Sequence, residues 1–251
     1  MDNKTLFEYI LSIADNNLIL GQRLGELCGH GPTLETDIAL TNIALDLFGQ
    51  TRSYYQYAAQ LHPDFDTEDE VAFLRKERQY RNALLVEQPN TDFAYVIGRQ
   101  YFFDVFHYLL IEQLQQSTDA TLSAIATKAI KEVSYHKRFS GDWVKRLGDG
   151  TSESHTKMQQ AVNDLWRYTN ELFEATLFEK EAAEVGVGVV LESLKESYYE
   201  TVSSLLKEAT LEVPENPFFQ KGGKEGIHTE HMGYLLADLQ YMQRTYPSLK
   251  W

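Results

Sequence analysis

The chain has 251 residues, 43% of them hydrophobic, a formal charge of −14 and one cysteine, Cys28. The hydrophobic share supports a sizeable core in a single domain over 1–251, while the lone cysteine excludes an internal disulfide framework and suits a reducing compartment. The acidic balance argues against nucleic acid or an anionic membrane as partner, because both select basic faces.

The N-terminal stretch Met1 to Asn17 carries Asp2, Glu8 and Asp15 and lacks the apolar core of a secretory signal. No apolar run approaches the roughly 20 residues of a membrane span. The expectation is a soluble, cytoplasmic protein.

Apolar periodicity predicts helices at 4–28, 34–61, 67–87, 91–116, 119–147, 153–179, 190–209 and 228–245. Pro32, Pro63, Pro89, Pro214, Pro217 and Pro247 all fall between these stretches. Thr67, Ser152 and Thr229 are candidate caps, and Gly148 with Gly150 a stop. Gly186 and Gly188 leave room for a short extended segment near 180–190. The fold class is all-α.

Four acids, Asp46, Glu77, Asp104 and Glu132, recur at intervals of 31, 27 and 28 residues, each among apolar neighbours three or four positions away. Carboxylate-bridged di-iron bundles use an acid, a Glu-x-x-His, an acid and a second Glu-x-x-His in chain order. Here the positions three after Glu77 and Glu132 are Tyr80 and Tyr135. The pattern predicts a degenerate metal site, with acids kept and histidines lost. Buried carboxylates without metal need protons or cations, so Lys128, one turn before Glu132, with His107, Arg78 or Arg81, is the candidate compensating set. A second register stays open, because His107 follows Asp104 by three and His136 follows Glu132 by four.

Lys221-Gly222-Gly223-Lys224-Glu225-Gly226 precedes the last helix, a composition able to aim backbone N–H groups and lysines at an anion such as coenzyme A. His228-x-x-His231 lacks the downstream ligand of a zinc protease. There is no Gly-x-Ser-x-Gly, P-loop or dinucleotide fingerprint.

Asp37 to Arg52 (DIALTNIALDLFGQTR), Glu77-Arg-Gln-Tyr80, Leu85-Val-Glu-Gln-Pro-Asn90, Ala129-Ile-Lys-Glu132-Val-Ser-Tyr-His136 and Gly222-Gly-Lys-Glu-Gly-Ile-His-Thr-Glu230 resemble the C subunits of ring-1,2-phenylacetyl-CoA epoxidase, over about Asp15 to Arg244. The resemblance implies a ferritin-like four-helix bundle core with additional helices and no working di-iron centre. It implies too that iron sits on a catalytic A subunit that epoxidises phenylacetyl-CoA, with a B subunit and a flavin and iron–sulfur reductase completing the system. Tyr80 and Tyr135 bar any transfer of catalytic roles to this chain. The expected function is a structural, non-catalytic subunit in aerobic phenylacetate breakdown, with no cofactor of its own, pairing with A, with B and with itself. The alternatives are an active di-iron oxygenase using Asp46, Asp104, His107, Glu132 and His136, and a coenzyme A-binding module.

Overall fold

A computed structural model describes residues 1–215, 218–247 and 249. Its α-helices are α1 (Asn3–Glu26), α2 (Leu34–Ala59), α3 (Glu68–Phe73), α4 (Leu84–Glu87), α5 (Phe93–Leu114), α6 (Ala120–Gly148), α7 (Ser152–Leu165), α8 (Leu177–Glu184), α9 (Lys195–Glu208) and α10 (Glu230–Thr245). No strand occurs among the described residues, so the all-α expectation holds. Pro217 lies outside the described residues; the other five prolines fall outside the α-helices.

Two antiparallel pairs form the centre, α1 on α2 and α5 on α6, joined where α2 meets α6. The helices start where side chains accept orphaned N–H groups: Asp2 from Thr5, Thr33 from Thr36, Asp92 from Tyr95, and Asp119 from Thr121 and Leu122. α5 is buried along most of its length, with Val96 to His107 buried without a break. It is therefore the central helix, covered by α6, α7 and α9. Gly98 and Gly141 allow that close cover, since a Cβ would sit 3.1 Å from Met158 at the first and 3.0 Å from Leu205 at the second.

Two expected helices are broken. The stretch 67–87 is α3, a 3₁₀ turn at Glu77–Gln79 and the four-residue α4. The reason is Arg75, 1% exposed, whose guanidinium dives between helices to grip Asp15 while its Nε donates to Val71 O at 2.6 Å. Asp15 and Asn16 of α1 then accept the backbone N–H groups of Arg81 and Ala83, at 2.7 and 2.8 Å. Those donors are lost to a helix ladder. The stretch 153–179 likewise stops at Leu165 and passes through 3₁₀ turns at Trp166–Tyr168 and Asn170–Phe173. Near 180–190 the chain turns at Gly186, φ +75°, a left-handed conformation glycine adopts freely. No extended pairing forms there.

Candidate functional site: a polar layer between four helices

α1, α2, α5 and α6 each carry a polar side chain into the same level of the bundle. From α6, His136 Nε2 donates to Asp46 Oδ2 of α2 at 3.0 Å. One turn along α2, Gln50 donates to Glu132 Oε2 at 2.8 Å and receives Asn17 Nδ2 of α1 at 3.3 Å. From α5, Asp104 accepts Gln100 Nε2 and Ser140 Oγ, each at 2.7 Å. Burial pushes the Asp104 carboxyl up to about 6, against the lowering pull of His136 and the two donors.

His107, also on α5, is 1% exposed, leans on Phe103 with ring centroids 5.1 Å apart, and has no partner for either ring nitrogen. Burial, aided by nearby His136, pushes it down to about 3. The imidazole is neutral at neutral pH.

Three of the four predicted acids therefore differ from expectation. Glu77 is exposed in its 3₁₀ turn, outside the layer. Asp46 and Glu132 are half-buried along the α2–α6 seam, and only Asp104 is fully interior. The tyrosines differ as well. Tyr80 is buried in a separate cluster: its ring faces Arg75 at 4.1 Å, and its hydroxyl donates to Ala72 O at 2.5 Å and accepts Gln240. Tyr135 is on the outer surface, 37% exposed, and the residue that turns inward is His136. Positions 132 and 136, one turn apart, share the face that the 132/135 register assigned to a tyrosine. Of the second register's residues, Asp104, His107 and His136 are buried at the centre, while Asp46 and Glu132 lie on the seam.

The compensating groups are corrected too. Lys128 is exposed beside Glu132 on the rim of a groove of about 110 Å³, and the group bonded to Glu132 is Gln50. Arg78 is exposed, and Arg81 bonds Glu8 at 2.7 Å and the Arg78 carbonyl at 2.9 Å. Of the expected set, only His107 is in the layer.

The glycine loop holds a carboxylate of this chain. Gly222 and Gly223 N–H donate to Glu171 Oε1 at 2.7 and 2.8 Å, and Leu84 N–H donates to Oε2 at 2.7 Å. Lys224 pairs with Glu179 at 2.8 Å and Lys221 with Glu174 at 2.9 Å. An incoming anion would have to displace these groups. Next to it the buried Glu87 accepts His228 Nδ1 at 2.6 Å and the N–H and hydroxyl of Thr229, fixing the start of α10.

α1 supplies polar side chains that the spacing of the four acids does not include. Asp15-Asn16-Asn17 interrupts the buried apolar stretch of α1 between Ile13-Ala14 and Leu18-Ile19-Leu20, and all three are buried. That polar run was the available signal. Asp15 anchors the second cluster, accepting Arg75 through both oxygens at 2.6 and 2.9 Å together with the Tyr55 hydroxyl.

Iron ligation needs carboxylates and imidazoles free to converge on one point. Each central carboxylate is instead taken by an amide, a hydroxyl or an imidazole of this chain. Among the described residues no three His, Cys, Asp or Glu side chains converge on a common metal position. The arrangement does not fit a carboxylate-bridged di-iron centre. No helix among the described residues is long and apolar enough to cross a membrane.

A family model described as phenylacetic acid catabolic protein matches residues 1–251. The C subunit of the 1,2-phenylacetyl-CoA epoxidase of Escherichia coli (strain K12) is 51% identical over 246 residues, which is 98% of this chain and 99% of that protein.

Proposed function

This chain belongs to the phenylacetic acid catabolic protein family, and from that premise we propose that it is a non-catalytic, structural subunit of a phenylacetyl-CoA epoxidase. It acts by pairing with a homologous subunit that holds the di-iron centre. The observation that carries this reading is the satisfaction of the central acids by the chain's own donors: Asp46 by His136, Glu132 by Gln50, and Asp104 by Gln100 and Ser140. With its acids held in this way, the layer ties four helices together through the chain's own side chains. It keeps a rigid bundle against which a catalytic partner can pack.

The test is reconstitution with the remaining subunits, using the double variant Asp46→Asn with Glu132→Gln. Both carboxylates are half-buried, so the fold is expected to tolerate the change while carboxylate ligation of iron through them is removed. Turnover of phenylacetyl-CoA in the assembled complex is expected to stay near the parent level. Normal assembly with turnover abolished would place the chemistry on this chain.

One observation favours a second reading. His107 keeps both ring nitrogens unpartnered within the layer that holds Asp104 and His136, the single feature there in keeping with an active di-iron oxygenase of the second register, whose acids are otherwise engaged. The same variant separates the two, because that reading makes Asp46 and Glu132 ligands.

A further inference from the structure

α6 differs in charge from the rest of the chain. It holds six lysines and arginines against two acids, in a protein of net charge −14. Lys128, Lys131, Tyr135 and Arg138 are exposed and spaced three or four apart, so they form one ridge along its outer face. At its C-terminal end Lys145 pairs with Glu208 at 2.9 Å. Among the described residues the three cations of the ridge have no carboxylate in ion-pair contact, and Arg138 lies over the Tyr135 ring at 5.8 Å.

α2 runs antiparallel beside this ridge, as the pairs Asp46–His136 and Gln50–Glu132 require. It presents Ile38 and Leu45 to solvent, 51% and 61% exposed. Between the helices lies the groove of about 110 Å³, with Leu45 and Gly49 from α2, Ile125 and Lys128 from α6, and the bonded acids Asp46 and Glu132 also lining it, so the free positive charge beyond Lys128 lies on the ridge outside the groove.

One exposed leucine needs no explanation. Tyr135 and Arg138 are residue types enriched at protein interfaces, and Ile38 and Leu45 add exposed apolar area beside a row of cations that lack an ion-pair partner. From this juxtaposition we infer that the α2–α6 face is a docking surface for a different protein chain, one that presents an apolar helix face rimmed by acids. The inference rests on the subunit reading above. Charge selects the occupant. Two copies of this chain paired symmetrically through the face would bring two basic ridges into one interface. A head-to-tail pairing of ridge to acidic flank could not stop at two copies and would go on to a ring or a filament. An acidic partner of another sequence meets neither obstacle, and complementary charge would speed its docking and fix its register.

The experiment co-expresses the full chain with the other epoxidase subunits and measures affinity in the purified components at low salt. Lys131→Glu with Arg138→Glu is expected to weaken association by about tenfold or more, with parent affinity declining as salt is raised. Leu45→Ser should weaken it with little change in salt dependence. Reversal of two cations elsewhere, Lys180→Glu with Lys207→Glu, both exposed, should leave affinity unchanged, and circular dichroism should show all variants folded. Parent affinity in the ridge variant, or an equal loss in the control, would overturn the inference. If the parent chain associates with none of the other subunits, the subunit reading fails and this inference with it. If coenzyme A binds the parent and the ridge reversal abolishes that binding, the ridge is a nucleotide-phosphate site and not a protein interface.

Discussion

His136 Nε2 lies 3.0 Å from Asp46 Oδ2 across the α2–α6 seam, yet the two ends of this pair stand in different surroundings: the imidazole is fully buried and the carboxylate side chain is 37% exposed. An exposed carboxylate exchanges one hydrogen bond for water at little cost, while the buried ring has no such recourse. The pair should therefore behave asymmetrically. His136→Leu is expected to lower stability by about 1–3 kcal/mol and Asp46→Asn by under about 1 kcal/mol. Chemical denaturation of both variants and of the double variant checks this, and equal losses would contradict it.

The Asp15–Arg75 pair is buried at both ends, 0% and 1% exposed by side chain, and is bidentate. Removing one partner strands the other's charge in the core. Asp15→Ala should cost about 3–5 kcal/mol, whereas Asp15→Leu combined with Arg75→Met should recover a large part of that loss. Strict additivity in denaturation midpoints would show that the two charges do not depend on each other.

Asp104 and His107 respond to pH with opposite signs. Asp104 is raised by burial from 3.8 to about 6, so the folded state holds its proton more tightly and stability falls as pH rises from 3.8 to about 6. His107 is lowered by burial from 6.5 to about 3, so the unfolded chain takes up a proton that the folded chain refuses. That contribution makes stability fall as pH drops from 6.5 toward 3. Asp104→Asn should accordingly gain about 1–3 kcal/mol at pH 7.5, a gain that disappears near pH 4. His107→Leu should gain relative to the parent as pH falls below 6.5. Urea midpoints across pH 4 to 8 test both, and parallel pH profiles for parent and variants would refute the assignment.

Gly226 has φ +80°, and a Cβ there would sit 2.4 Å from the Arg78 carbonyl oxygen. Both features act against any side chain. Gly226→Ala should cost about 1–3 kcal/mol and increase amide exchange in the 222–229 segment that Glu171 and Glu87 hold. Unchanged exchange there would show that the loop is not seated by this contact.

Helix class, most boundaries and the polar character of the bundle centre were legible because apolar spacing and caps are local properties. The break after Phe73 was not legible, since it depends on Arg75 reaching Asp15, a contact across 60 residues. The same distance problem hid the partners of the acids. Lys128, one turn from Glu132, was the candidate a sequence offers, whereas Gln50, 82 residues away, is the one in contact. The choice between positions 135 and 136 turned on the rotation of α6, which spacing alone fixes only to within a neighbouring residue.

A structural subunit of this kind would assemble without iron of its own. The iron content of the chain purified alone after expression in iron-replete medium, measured beside the homologous subunit proposed to hold the di-iron centre, tests this. Iron on this chain is expected well below stoichiometric and unchanged by His136→Leu. Stoichiometric iron, lost on substitution of Asp104, Glu132 or His136, would contradict it.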